Sequence, residues 1–168
     1  MDPCSFEREL PSHFTFRPID AGSAHAISAW QYDPPYDFYD SAADEEDLNE
    51  LLDPSFWVDD YHAVLDQRSR LVGFFSFKRR APALLVGLGL HPELAGRGLG
   101  REFVDAGLEY AREKYQPETF MLDVATFNLR AQRVYEAAGF QPGEIWIQTG
   151  RIRVEFLRMT RSAECAHS

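Results

Sequence analysis

Very little in this chain could cross-link it, anchor it or hold a metal. Its 168 residues include two cysteines, Cys4 and Cys165, near opposite ends. Two terminal thiols make no disulfide framework. No CxxC pair and no Cys/His spacing reads as a metal site, and the five histidines (13, 25, 62, 91 and 167) lack ligand spacing. No metal is expected. Long apolar runs are missing too. The longest, residues 81–90, is interrupted by Pro82, Gly87 and Gly89 and falls short of the roughly 20 residues of a membrane helix. The opening Met1-Asp2-Pro3-Cys4 has neither the basic nor the apolar region of a secretory signal. A cytoplasmic protein with no membrane partner is expected.

Lysine and arginine are absent from residues 18–67. That stretch carries thirteen acids: Asp20, Asp33, Asp37, Asp40, Asp44, Glu45, Glu46, Asp47, Glu50, Asp53, Asp59, Asp60 and Asp66. The net charge of −10 argues against a nucleic-acid partner. Outside the stretch, 14 acids stand against 17 bases, so the rest is mildly basic. Such a split lets one molecule hold an anion at one place and attract a cation at another. It equally suits an acidic face kept for solubility.

What remains is ordinary globular composition, 45% hydrophobic and 26% charged. One domain over residues 14–160 is expected, between an N-terminal segment 1–13 and a frayed tail 161–168. Residues 14–19 read as a first strand and 21–30 as helix-compatible. The paired prolines of Tyr32-Asp33-Pro34-Pro35-Tyr36-Asp37-Phe38-Tyr39 enforce a loop. Residues 41–52 suit a short acidic helix. Residues 61–65, 71–78 and 84–91 read as strands, the last apolar enough for burial on both faces. A helix over 99–115 presents Leu99, Phe103, Ala106, Tyr110 and Ala111 at helical spacing. Residues 119–125 form a strand and 128–138 a second amphipathic helix, with Asn128 as N-cap and Gly139 just past its end. A hairpin of residues 144–148 and 151–159 closes the chain. The order predicts an α/β sandwich on one mixed sheet.

Chemistry concentrates in Leu90-His91-Pro92-Glu93-Leu94-Ala95-Gly96-Arg97-Gly98-Leu99-Gly100-Arg101. A buried strand runs into a turn with glycines at alternate positions, where a helix starts. The first N–H groups of a helix have no internal partner and, with the helix dipole, attract anions. Glycines let the backbone approach a phosphate closely. Gly100-Arg101-Glu102 is not the Gly-Lys-Ser/Thr of a Walker loop, and a Rossmann turn would follow the first strand of a βαβ unit.

This segment resembles the GNAT superfamily of N-acetyltransferases. The family signature Arg/Gln-x-x-Gly-x-Gly/Ala aligns with Ala95-Gly96-Arg97-Gly98-Leu99-Gly100, with Ala95 in place of Arg or Gln. A second signature, a helix bearing Asn, a small residue, Tyr and then Gly-Phe, aligns with Asn128, Ala131, Tyr135, Gly139 and Phe140. Element order matches over roughly residues 14–160.

The resemblance implies a mostly antiparallel sheet whose strands four and five splay apart around the pantetheine arm of acetyl-CoA. Leu88, Gly89 and Leu90 would pair with that arm. Ala95, Gly96, Arg97, Gly98, Leu99, Gly100 and Arg101 would hold the pyrophosphate, with Arg130 and Arg133 as further candidates for outer phosphates. Asn128 would cap its helix, contact the arm, or both. Tyr135 would protonate the departing thiolate, since a phenol keeps its proton at neutral pH. The base that deprotonates the amine is left open between Asp123 and a water held by acids of the 32–40 loop; His91 reads more simply as a strand-end residue.

The acceptor wall would include the acidic stretch. Tyr32, Tyr36, Asp37 and Tyr39 are the candidate substrate contacts, because aromatic faces beside carboxylates suit a cationic amine. A small-molecule amine is the expected acceptor. A peptide N-terminus is the alternative, as is a module that binds acyl-CoA without turnover. A homodimer is compatible with the resemblance.

Overall fold

A computed structural model of the chain describes residues 6–57, 61–150 and 153–164. Cys4, Asp59, Asp60, Arg151, Ile152, Cys165 and His167 lie outside the described residues. The patterns resolve into β1 (Thr15–Pro18), α1 (Ala21–Ser28), α2 (Glu45–Leu52), β2 (Tyr61–Leu65), β3 (Leu71–Arg80) and β4 (Ala83–Leu90). There follow α3 (Gly100–Tyr115), β5 (Thr119–Ala125), α4 (Leu129–Ala137), β6 (Gln141–Gln148) and β7 (Val154–Ser162). Hydrogen bonding orders the strands β1-β2-β3-β4-β5-β7-β6. The β4–β5 pair is parallel, and β1–β2, β2–β3, β5–β7 and β6–β7 are antiparallel. The expected mixed, mostly antiparallel α/β sheet is therefore present.

Two compact units divide the chain. Described residues up to Ser76, with Leu88–Leu99, form the first; Phe77–Gly87 and the described residues from Gly100 onward form the second.

In the first unit, acids start the helices. The Asp20 carboxylate accepts the Ser23 amide at 2.7 Å, which starts α1 and holds this carboxyl below the usual carboxylate range. Asp44 accepts the amides of Glu46 and Asp47 and starts α2. That cap explains why the helix expected over 41–52 begins at Glu45, with Ser41–Ala43 forming only a 3-10 turn. The core gathers Ile19, Ala24, Ile27, Trp30, Leu51 and Ala63, with Phe74 and Trp57 packed against them. At the β2–β3 turn, buried Asp66 accepts the amides of Arg68 and Arg70 and pairs with the Arg70 guanidinium.

The N-terminal segment is not separate from this unit. Phe6 is 1% exposed. Its ring lies under the Arg70 guanidinium, 4.5 Å from the centroid, and meets the His91 ring edge-on. The Arg70 guanidinium also donates to the Glu9 carbonyl, and the Gln67 side chain ties down Glu9, Leu10 and Ser12.

In the second unit, α3 buries Phe103, Val104, Gly107, Leu108, Ala111 and Tyr115. The expected stripe through Ala106 and Tyr110 sits about one residue off, so those two are only half-buried. Asn128 caps α4 by accepting the Ala131 amide at 3.1 Å. Gly139, at φ +97°, ends it in the left-handed region. The tail expected to fray from 161 instead continues β7: Arg161 pairs with Phe120 and Ser162 with Thr119. The Arg161 guanidinium donates to the Ala138 carbonyl at 2.6 Å, and Ala163 is buried.

Candidate active site

In the first unit, the end of β4 leads through a 3-10 turn, Pro92–Leu94, into the glycine turn. Leu94 is fully buried and anchors the turn. Gly96 and Gly98 adopt φ of 75° and 80°. A side chain there costs roughly 1–2 kcal/mol, which is why the sequence needs glycine at both places. Nothing lies within 4 Å of the position a Gly98 Cβ would take, so that face of the backbone is open. The Ala95 amide donates to the Pro92 carbonyl at 3.3 Å and is already engaged. Of the expected amide donors, those from Gly96 onward are the better placed by this criterion.

The β4 end is more occupied than expected. The Tyr32 hydroxyl donates to the Leu90 carbonyl at 2.7 Å. Burial and nearby Asp40 push this phenol well above its ordinary pKa, so it stays a donor. Gly89 has a packing reason of its own: a Cβ there would stand 2.3 Å from Cε1 of Phe74. His91 accepts the Glu93 amide on Nδ1 at 3.1 Å. Its ring lies 4.9 Å from Trp30 and 5.3 Å from Phe6.

Five acids of the stretch, Asp66 among them, accept backbone amides. Asp20, Asp44 and Asp53 cap helices or turns. Asp40 accepts the Tyr32 amide at 2.9 Å and closes the 32–40 loop on itself. Within that loop Tyr36–Tyr39 forms a 3-10 turn, and the Phe38 and Tyr39 rings meet edge-on at 5.1 Å. Asp33 and Asp37 are exposed and take no part in these caps. Of the four candidate acceptor contacts, Tyr36 is half-buried, Asp37 and Tyr39 are exposed, and Tyr32 has turned its hydroxyl to the protein.

In the second unit, Gly100 opens the 16-residue α3. A Cβ on Gly100 would stand 3.3 Å from both γ-carbons of Val134, so this glycine serves the close approach of α3 and α4. Arg101 turns along the helix to pair with Asp105 at 2.9 Å. Tyr135 is half-buried on α4, its ring edge-on to Phe140 at 6.1 Å. The Gln132 amide donates to the Ala125 and Thr126 carbonyls and ties α4 to the end of β5. The parallel ladder between β4 and β5 covers only Ala83–Thr119, Leu84–Phe120 and Leu85–Met121. Beyond it, β5 keeps pairing with β7 as far as Ala125.

Asp123, one candidate for the base, is engaged by the closing hairpin. Its two oxygens accept both a bidentate pair from Arg158, at 3.0 Å each, and the Trp146 indole N–H at 3.1 Å. The Asp123 bond leads the causes that hold the Arg158 guanidinium above its usual pKa. Trp146 stacks on Phe156 at 5.0 Å. Sequence reasoning missed this cluster and the Phe6–Trp30 clasp on His91. Period-two alternation on the hairpin was the one local signal for the former; Phe6, isolated beside Glu7-Arg8-Glu9, offered none.

Among the described residues, no three His, Cys, Asp or Glu side chains gather as metal ligands, and no helix is long and apolar enough to cross a membrane.

A parallel β4–β5 pair in a mixed sheet, a left-handed glycine turn before a helix and a Tyr-bearing capped helix define an acyltransferase-like α/β fold. The acetyltransferase (GNAT) family model matches residues 24–140, and the chain belongs to that family. It is accordingly an acetyl-CoA-dependent N-acetyltransferase. Comparison with curated proteins returns no sequence match. Among solved structures, the spermidine N-acetyltransferase from Vibrio cholerae in complex with CoA and spermine is similar, with TM-score 0.71 and 20% identity over 89% of this chain and 95% of that one. A spermidine N-acetyltransferase chimera from Vibrio cholerae and hSSAT gives TM-score 0.74 and 20% identity, covering 90% and 96%. A GNAT acetyltransferase from Bacillus anthracis gives 0.72 and 17%, covering 91% and 96%. At these identities the likeness concerns the fold.

Proposed function

We propose that this enzyme acetylates a cationic primary amine, with Gly96, Gly98 and the first amides of α3 receiving the pyrophosphate of acetyl-CoA. The carrying observation is the glycine turn: two left-handed glycines, open space over Gly98 and a helix start. These features fit a bulky anion better than a side-chain grip, which Ala95 does not supply. Bound there, acetyl-CoA supplies an activated acyl group as a thioester.

The chain's own residues then have distinct tasks. The β4 end, Leu88 to Leu90, offers backbone donors and acceptors to the pantetheine arm, with the Leu90 carbonyl shared with Tyr32. The ammonium first gives up one proton to expose its lone pair, and the nitrogen loses a second as its bond to the acyl carbon forms, both passing to water. The departing sulfur gains one as its bond to that carbon breaks, and the Tyr135 hydroxyl donates it. Asn128 holds the start of the helix that carries Tyr135.

The cationic acceptor rests on Asp33 and Asp37, exposed beside Tyr36 and Tyr39 on one loop. Spermidine enzymes among the similar folds act on amines of this class, which supports the class without fixing the molecule. Tyr135→Phe tests the mechanism. Turnover is expected to fall at least tenfold while acetyl-CoA affinity stays within about twofold, because the role removed is one of proton transfer. Unchanged turnover with the best acceptor would remove Tyr135 from the mechanism. A panel in which only neutral or anionic amines react would overturn the acceptor class.

A further inference from the structure

We propose that His91 is a positioning residue for the donor site. Its neutral ring accepts the Glu93 amide and so sets the course of the turn that carries Gly96 and Gly98. The inference rests on the pyrophosphate reading of that turn.

His91 is held from every side. Its backbone N–H donates to the Val72 carbonyl at 2.8 Å, which keeps it in line with the sheet. Its carbonyl accepts the Leu94 amide at 2.8 Å, and its Nδ1 accepts the Glu93 amide at 3.1 Å. One residue thus closes both ends of the Pro92–Leu94 turn. The cap position usually goes to Ser, Thr, Asp or Asn. A histidine adds what those cannot, a ring that fills the space between Trp30 and Phe6.

The hydrogen bond also fixes the tautomer. Nδ1 can accept only with a lone pair, so the neutral ring carries its proton on Nε2. Nε2 is therefore a donor, and His91 is not the base that takes the amine proton. Protonation would place a second N–H on Nδ1, facing the Glu93 N–H, and the cap would be lost.

Burial between two aromatic rings disfavours that cation and lowers the His91 pKa; the Glu93 carboxylate opposes the effect in part. Across the Phe6 ring lies Arg70, which is paired with Asp66. His91 is thus neutral at physiological pH, and its cap fails only on the acid side.

The test is calorimetric CoA binding to the full-length chain between about pH 5.5 and 8, for wild type, His91→Phe, His91→Asn and Gly98→Val. Phe keeps the aromatic packing and deletes the acceptor; Asn keeps an acceptor and cannot titrate. His91→Phe should weaken CoA binding roughly fivefold to tenfold at pH 7.5, the worth of one hydrogen bond. His91→Asn should rescue most of that loss. Wild type should lose affinity relative to His91→Asn as the pH falls, a difference that cancels the titration of the CoA phosphates. Parallel profiles for wild type and His91→Asn would overturn the proposal, as would wild-type affinity in His91→Phe while Gly98→Val binds poorly. Should Gly98→Val also bind normally, the pyrophosphate reading fails with it. If His91→Phe does not fold, the paired pH profiles decide alone.

Discussion

Gly89→Ala asks why the chain has a glycine near the end of β4. An added Cβ would lie 2.3 Å from Cε1, 2.7 Å from Cζ and 3.1 Å from Cδ1 of Phe74. Carbon contacts settle near 3.5–4.0 Å, so the ring edge must retreat by roughly 1.2 Å or more. It has little room. Phe74 packs on the first unit's core, with its ring 6.3 Å from that of Trp30. Trp30 in turn lies 4.9 Å from the His91 ring. Overpacking of this kind costs about 1–3 kcal/mol. Alanine regains about 0.5–1 kcal/mol of strand propensity over glycine, so the net loss should be about 1–2 kcal/mol. Urea denaturation of the full chain measures it. Phe74→Leu removes the clashing ring edge, so the double variant should lose at least about 1 kcal/mol less than the sum of the singles. Additive losses, or a Gly89→Ala midpoint equal to wild type, would refute the packing account. Preserved stability with weakened CoA binding would show instead that the glycine serves ligand approach.

Three further outcomes are expected. Phe6→Ala should destabilise the protein by about 3–5 kcal/mol in thermal unfolding, because a fully buried aromatic is lost; a loss under about 1 kcal/mol would mean the N-terminal segment is dispensable. Asp123→Asn should cost about 1–3 kcal/mol by weakening charge-assisted bonds to Arg158. It should also shift Trp146 fluorescence, whose indole N–H donates to the same oxygen. The third outcome concerns pH. The folded state lowers the His91 pKa, so the unfolded chain binds that proton more tightly. The stability this contributes is full above the unfolded value of about 6.5 and declines as pH falls below it toward the folded value. Wild type should therefore lose more stability than His91→Asn between about pH 7 and 5, and equal losses would rule the effect out.

Local periodicity made most elements legible. Residues 119–125 were readable to the residue, and Asn128 and Gly139 announced the limits of α4. Local pattern failed where the partner was distant. Ser162 looks like tail until Thr119 pairs with it, and Phe6 looks like a stray apolar residue until Arg70 and His91 enclose it. Glycines show the same limit. Gly96, Gly98 and Gly100 read as one phosphate motif, yet only the first two need the left-handed region, while Gly100 lets Val134 approach. Asp123 was a candidate base because a carboxylate on β5 sits in the right element, and only the register with Arg158 reveals that its oxygens are engaged.

The acidic stretch carries the sharpest consequence for substrate recognition. As a composition, its acids could all have formed one negative field that attracts a cation. Their geometry separates them by task. Asp20, Asp44 and Asp53 cap backbone amides at the start of a helix or turn, Asp66 organises a strand connection, and Asp40 closes a loop. The clue was available in the spacing, since Asp44 and Asp53 each stand immediately before a helical segment. A carboxylate that accepts amide hydrogen bonds keeps its charge but has the lone pairs of the accepting oxygen, Oδ1 in Asp20, Asp40, Asp44 and Asp53, engaged by the backbone. The charge still contributes to steering at long range, whereas direct contact with an ammonium needs an oxygen that faces out. Within the 32–40 loop, exposure and freedom from capping leave Asp33 and Asp37. Acceptor selectivity, on this reasoning, should respond to Asp37→Asn and Asp33→Asn and be nearly indifferent to Asp53→Asn, although all three remove the same charge.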